Sequence, residues 1–470
     1  MKIAGRFPGT AVQQGASAAA LVAFVVMLNA PFWILSNRIL MNGCVFSLDA
    51  MLLLLFFAYS RALGLALLPA SWITDLVVKS SNTYHFSSPV EFLRSLRFGT
   101  QIEWRYFVSA TSLFVLALFV LAFCVMQYSD LRSRLRPWQI VVALAALLTV
   151  DAMNGSSALR STDSTETNLN IAGSSWYRIA MEITQKKSKV LTRLSTGSGG
   201  FEEVRSFLPP PESRQGGILY VIVESMGVHR KVGIQNWMRS QLYPASLQGQ
   251  YRLHEARVAT AGATTNGELR RLCNLNGAYG TLDSAFAKSC MPLLYSKAGW
   301  STVGFHGFSE YMFERDTWWP LMGIKQLRFK EQLRARFNNV CGLAFKGICD
   351  SDLVVAGAEA ARAPRSFVYV LTLNSHLPVT PVVIPEDLKR LCIENSTGPG
   401  VCGLLAHLGV TLRAISGQIA HSSITSVVVV GDHPPPFPKT ESRTQFLEYT
   451  VPLYSLIQKP GNHATSWVVR

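Results

Sequence analysis

The chain has 470 residues, with 49% hydrophobic residues and a mean hydropathy of +0.22, which is too long for one compact core and too apolar for an ordinary soluble protein. A net charge of +15 favours anionic partners. No zinc-finger or RNA-binding signature accompanies that charge, so nucleic acid is excluded and anionic lipid or phosphorylated glycan is favoured.

The apolar residues concentrate in the first third. Four stretches, near 16–35, 46–70, 106–127 and 137–154, reach the roughly 20 residues that cross a bilayer. The second runs on through Leu68, Trp72 and Leu76, which makes a fifth span if it re-enters. The first is too long, and is followed by too many others, for a signal peptide. Arg132, Arg134 and Arg136 lie in the short loop before the last stretch and place that loop in the cytoplasm. Everything after about residue 155 then faces the periplasm. Four spans leave Lys2 and Arg6 outside, and five bring them in.

Residues 156–216 read as a linker. It is Ser/Thr-rich at first, and Trp176–Leu194 then mixes apolar and basic residues. That pattern suits a helix lying on the membrane surface or an ordinary surface helix. LPPPESRQGG (208–217) breaks the chain before a globular part. The expected domains are therefore a transmembrane helical domain (1–155), the linker (156–216) and a periplasmic catalytic domain (217–470). Six of the eight cysteines, Cys273, Cys290, Cys341, Cys349, Cys392 and Cys402, fall as three close pairs in that last part. They suggest disulfides in an oxidising compartment, with local pairing the simplest of 15 arrangements.

Four apolar runs, GILYVIVE, GWSTVGFH, SFVYVLTLNSH and SITSVVVVGDH, read as buried strands of a mainly parallel sheet, with helical patterns such as Leu404–His421 between them. This is an α/β doubly wound arrangement. Each run ends in a residue capable of chemistry: Glu224, His306, His376, and Asp432 with His433. Ligands of open α/β sheets bind beyond the carboxyl ends of the strands. Two carboxylates and an imidazole there suit one divalent metal, zinc or manganese. A lone Glu after a strand is more often a surface group, so the weight lies in the set.

A nucleophile for phosphate belongs on a loop that opens a helix. ATAGATTNGELRRLC supplies Gly262, then Thr264 and Thr265, then Glu268. The same spacing also reads as a helix cap, with Thr answered by Glu. A metal beside the threonine would lower its pKa and make it a nucleophile toward a phosphodiester.

The order strand–Glu224, G-A-Thr264-T-N-G-Glu268, FHGFSEYMFERD (305–316), NSH (374–376) and GDH (431–433) resembles the alkaline phosphatase/sulfatase superfamily. Within it, the order is most similar to the membrane lipoteichoic acid synthases, phosphoglycerol transferases and phosphoethanolamine transferases. The likeness covers about residues 217–437 and the multi-span N-terminal region. It implies that Thr264 rather than Thr265 is the nucleophile, and that Glu224, Thr264, Asp432 and His433 hold the metal. It assigns His306 and Arg315 to the substrate phosphate or headgroup, and His376 to protonation of the leaving group.

The implied reaction transfers a phosphoethanolamine or phosphoglycerol headgroup from a membrane phospholipid to a cell-envelope glycan or lipid A-type acceptor. It would occur at a bacterial inner membrane, through a phospho-threonine. Phe313 stands where the family has tryptophan, GDHPPPF departs from the better-known tracts, and Ser-x-Pro-Cys is missing after the nucleophile. These departures leave the headgroup open. The alternative within the superfamily is a membrane-anchored hydrolase, a phosphodiesterase or a sulfatase. CMPLL (290–294) lacks the arginine that a sulfatase motif needs. A reading of another class, a catalytically dead structural or signalling membrane protein, fits poorly with a complete ligand set.

Overall fold

A computed structural model describes residues 60–86, 88–105, 137–153, 172–185, 191–195, 200–214, 216–420, 422–437 and 440–460, with scattered residues between 46 and 119. The chain divides into two compact units. One comprises residues 1–83 and 108–186, the other residues 84–107 and 187–470. The second thus takes in 84–107, inside the stretch expected to form the membrane domain.

In the first unit the described elements include the helices Arg61–Thr83, Pro137–Met153 and Ser175–Gln185. Asp49 caps the last of these: its carboxylate accepts from Ser174 Oγ at 2.5 Å, Ser175 N at 2.8 Å and Trp176 N at 3.0 Å. The expected span 16–35 and most of 106–127 lie outside the described residues, whereas the later part of 46–70 falls on the helix Arg61–Thr83 and 137–154 on the helix Pro137–Met153. Among the described residues one helix is long and apolar enough to cross a membrane, Pro399–Ile419, and 61% of its apolar window is buried inside the second unit. It is a core helix there, so a bundle of four or five spans is not seen among the described residues.

The second unit is built on seven strands: β1 (Gly217–Val223), β2 (Tyr251–Ala259), β3 (Ser301–His306), β4 (Gln326–Arg328), β5 (Ser366–Leu371), β6 (Ser426–Gly431) and β7 (Thr450–Gln458). Their order is β2-β7-β6-β1-β5-β3-β4. The five strands from β6 to β4 are parallel, and β7 pairs antiparallel with both β6 and β2. The sheet is therefore mixed, with the expected parallel core and an antiparallel edge. The four expected strands form its centre.

Their runs are continuous because both faces are covered. In β1, Leu219, Val221 and Val223 enter one core, while Ile218, Tyr220 and Ile222 enter the other. On the first face lie the helices α1 (Val232–Leu242), α3 (Asp350–Ala361) and α4 (Pro399–Ile419), through Ile234, Leu353 and Leu404 among others. On the second lies α2 (Thr264–Cys273), through Leu269 and Leu272, with Trp318 and Trp319 beside it. The expected helix Leu404–His421 is the greater part of α4.

The six cysteines form Cys273–Cys290, Cys341–Cys349 and Cys392–Cys402. The first ties the end of α2 to the helix Met291–Lys297, and the second holds the start of α3. The third joins the helix Glu386–Glu394 to α4. Peptide mapping without reductant is expected to recover these three pairs. Replacing Cys273 and Cys290 together by Ser should cost about 2–4 kcal/mol in a thermal or denaturant melt, since closing even a short loop restricts the unfolded chain. An unchanged melt would count against a structural role for that link.

Candidate metal centre and nucleophile

β1 and β6 are neighbours in the sheet, and their carboxyl ends bring Glu224, Asp432 and His433 together. One ligand atom from each lies within 4.8 Å of the others. The turn after β1 is sharp: Ser225 takes a left-handed φ of 55°. From there Ser225 N donates to Asp432 Oδ1 at 2.8 Å, and Ser225 Oγ donates to Glu224 Oε1 at 2.9 Å. Glu224 N donates to Thr372 Oγ1 at 3.0 Å, and Thr260 Oγ1 donates to the Asp432 carbonyl at 2.6 Å. The ligand side chains therefore rest on main-chain bonds that fix both strand ends.

Thr264 is half-buried, and its Oγ1 lies 3.2 Å from Glu224 Oε2 and 3.5 Å from His433 Nε2. The capping alternative fails on geometry. Ala263 is the N-cap residue, and Asn266 Oδ1 accepts from its N–H at 3.1 Å. Thr264 already lies inside the helix, so its hydroxyl faces the carboxylate. Gly262 allows this turn with a φ of 85°, where a Cβ would stand 2.6 Å from the Asn266 side chain. Gly267 lets α2 approach the ligand loop: a Cβ there would lie 3.3 Å from Asp432 Cα.

Glu268 does not cap the helix either. It is buried, accepts from Arg315 Nε at 3.2 Å on each oxygen, and accepts from Tyr369 Oη at 3.0 Å. Burial pushes its carboxyl above the ordinary range, against the pull of Arg315. Arg315, expected at the phosphate, is thus engaged with Glu268 and with the Met312 carbonyl at 3.2 Å.

His306, the last residue of β3, is buried with Nδ1 at 3.1 Å from the Leu371 carbonyl. Burial and the Arg315 charge push its pKa down to about 3. His376 stands after β5, its Nδ1 2.7 Å from the Leu377 carbonyl, and burial lowers its pKa. Its loop is pinned by Asp350, which accepts from Leu373 N and Asn374 N, both at 2.8 Å, while Asn374 Oδ1 accepts from Asp350 N at 2.6 Å.

The donor set fits a divalent cation. His433 Nδ1 lies 2.9 Å from the Pro434 carbonyl, which places the imidazole proton on that nitrogen. Nε2 then turns a lone pair toward Asp432 Oδ2 at 3.3 Å and Glu224 Oε1 at 3.6 Å. Asp432 Oδ2 is buried without a hydrogen-bond partner. Burial and the adjacent Glu224 carboxylate push Asp432 well above the usual carboxylate range. Burial works against the Glu224 charge too, yet His433 and His376 outweigh it and hold its pKa low. Three buried acceptors facing one another call for a positive charge between them.

Sequence reasoning brought Glu224, Thr264, Asp432, His433, His306, Arg315 and His376 to attention. It passed over Thr260, Thr372 and Asp350, which act on main-chain groups, and Ser225, which donates to both carboxylates. Only the NSH tripeptide signalled part of this support, through Asn374 and through Ser375, whose Oγ donates to the Glu224 carbonyl at 2.5 Å.

No protein-family model matches the chain. No curated protein matches it either. Among solved structures it is similar to the lipoteichoic acid synthase LtaP from Listeria monocytogenes, at 14% identity and a TM-score of 0.38. It is similar to the Streptococcus pyogenes phosphoglycerol transferase GacH in complex with sn-glycerol-1-phosphate, at 13% and 0.37, covering 57% of this chain and 77% of that one. It is also similar to the C-terminal periplasmic domain of Escherichia coli EcEptC in complex with Zn, at 10% and 0.33, covering 55% and 78%. The Listeria match covers 52% of this chain, which spans 66% of that synthase's chain.

Two outcomes test the site's construction. Arg315→Ala leaves Glu268 buried and unpaired, so a melt should show a loss of about 3–5 kcal/mol. A Glu268→Gln/Arg315→Met double variant should lose less, and equal losses would contradict the pairing. Gly267→Ala should weaken zinc binding by crowding Asp432, although the same change in an open helix adds about 1 kcal/mol of stability. Calorimetric zinc titration reads this directly, and an unaltered affinity refutes the close approach.

Proposed function

We propose that the chain is a metal-dependent phosphotransferase that moves a phospholipid headgroup, phosphoethanolamine or phosphoglycerol, to a cell-envelope glycan or glycolipid through a phosphorylated Thr264. The observation that carries this is the Thr264 hydroxyl, released from capping and set 3.2 Å from Glu224 and 3.5 Å from His433. Glu224, Asp432, His433 and Thr264 would hold the zinc or manganese ion. When bound, such an ion lowers the pKa of an adjacent hydroxyl and offsets phosphoryl charge.

The chain's own residues supply the rest. Thr264 Oγ forms the new bond to phosphorus as the bond from phosphorus to the diacylglycerol oxygen breaks. The hydroxyl proton leaves along the hydrogen bond to Glu224. His376, with its Nε2 lone pair open, takes it up and delivers it to the departing oxygen, so that diacylglycerol leaves neutral. An acceptor hydroxyl then attacks the phospho-threonine, and its proton returns by the same route to Thr264. His306 borders the headgroup. Arg315 holds α2 through Glu268, and so sets where Thr264 stands.

A donor lipid requires a membrane, and the proposed location is a bacterial inner membrane, with four or five N-terminal spans and the second unit in the periplasm. The three disulfides and the arginine loop at 132–136 support that side. A membrane-anchored phosphodiesterase would use the same first step, with water as acceptor.

Thr264→Ala is expected to lower headgroup transfer by roughly a thousandfold or more while the fold and zinc binding persist. Intact-protein mass spectrometry after incubation with phospholipid should reveal an adduct on Thr264 whose mass names the headgroup. Full transfer by Thr264→Ala would refute the mechanism. A chelator should abolish transfer, and zinc or manganese should restore it. At a hundredfold excess over Kd, the ion should add about 2.7 kcal/mol of stability. A melt indifferent to the metal would argue against the ligand set.

A further inference from the structure

His85 is a histidine at this site that the motif order does not include. It belongs to the same compact unit as the sheet, and its backbone takes a left-handed φ of 57°. Its ring lies beside that of His433, with centroids 5.3 Å apart. The Pro434 backbone takes a hydrogen bond from the His85 ring, and Nε2 is buried without a partner. The proton given to that carbonyl is therefore on Nδ1. One carbonyl thus fixes the tautomers of two neighbouring imidazoles, since His433 Nδ1 lies 2.9 Å from the same oxygen.

The two lone pairs have different surroundings. That of His433 meets Glu224 and Asp432. His85 is not among the residues whose ligand atoms gather within 4.8 Å. Its Nε2 is a buried acceptor with nothing to accept, set at the edge of the centre. The segment that carries it is firmly tied. Ser88 caps the helix Pro89–Ser95, with Glu91 N donating to Ser88 Oγ at 3.0 Å. Phe98 is buried with Phe308, Met312 and Leu373. Arg97 pairs with Glu314 at 2.8 Å, and Glu103 with Lys346 at 3.1 Å.

We propose that His85 Nε2 accepts a hydrogen bond from the polar end of the transferred headgroup, an N–H or O–H group. Ionised phosphate oxygens have no proton to give, so His85 reads the headgroup beyond the phosphorus. This rests on the headgroup-transfer reading, and its test is separable from that of Thr264.

The experiment is calorimetric titration of the full chain in detergent with zinc present. Phosphoethanolamine, sn-glycerol 1-phosphate and methyl phosphate are the probes. Of the first two, the tighter ligand identifies whether N–H or O–H is read. His85→Ala should weaken it about tenfold, the size of one well-formed hydrogen bond. His85→Phe, which keeps a ring and loses the acceptor, should do the same. Methyl phosphate should bind all three proteins alike. Unchanged headgroup affinity in either variant, equal weakening of methyl phosphate, or no wild-type preference for a headgroup over methyl phosphate would each overturn the proposal. Full transfer by Thr264→Ala would instead remove the transferase reading and leave the His85 titration standing.

Discussion

Three groups that repel one another are held together at the end of the sheet. Glu224, Asp432 and the Nε2 lone pair of His433 face a common point in a pocket where water cannot soften the repulsion. Side-chain packing alone would let them part. What holds them is the backbone: the register of β1 and β6 places Val223 opposite Gly431, one step before the ligands. The Ser225 turn then bonds one strand end to the Asp432 carboxylate of the other. A cation would convert this stored repulsion into attraction, so the cost of assembling the site is met by the core strands on either side.

The placement of Thr264, the proposed nucleophile, depends on the backbone in the same way. α2 begins within reach of Glu224 because Gly267 meets Asp432 without a side chain between them. Glu268, one turn from Thr264, anchors the helix to β5 through Tyr369 and to the short helix Arg315–Trp318 through Arg315. Burying that ion pair is expensive, and hydrophobic residues of similar volume would hold a helix at least as well. A charged pair in which Arg315 Nε is shared by both Glu268 oxygens, with Tyr369 on one of them, adds direction that packing lacks: it constrains the rotation of α2 about its axis, and hence the direction of the Thr264 hydroxyl.

Much of this was legible in the sequence, for a physical reason. Strands buried on both faces must be apolar throughout, so GILYVIV and SVVVVG stand out and their ends mark the ligands. The antiparallel edge was not legible. β2 alternates burial along YRLHEARVA, and β7 carries Pro452, a residue that argues against a central strand. Pro452 is tolerated because the β6 register ends one residue earlier, at Val430 and Leu453. In the site, charge made Arg315 conspicuous, but its partner lies 47 residues upstream and no local pattern connects them. Thr260 and Thr372 are common residue types that bond main-chain groups, and Ser225 is another that bonds the two carboxylates; composition carries no trace of either.

The histidines share one more constraint. His306, His376 and His433 each set Nδ1 against a main-chain carbonyl, those of Leu371, Leu377 and Pro434. Their Nε2 atoms are consequently all set to accept, and burial lowers the pKa of His306 and His376. With two carboxylates added, the side chains around Thr264 are rich in lone pairs, and the donors there are the main-chain N–H groups that open α2. An anionic phosphodiester would meet the repulsion of Glu224 and Asp432 on one side and the N-terminus of α2 on the other. On the proposed reading, positive charge held by the carboxylates would remove the first of these and leave the second to orient the phosphate. Fixing the tautomers through the backbone makes this arrangement a property of the fold rather than of any one side chain.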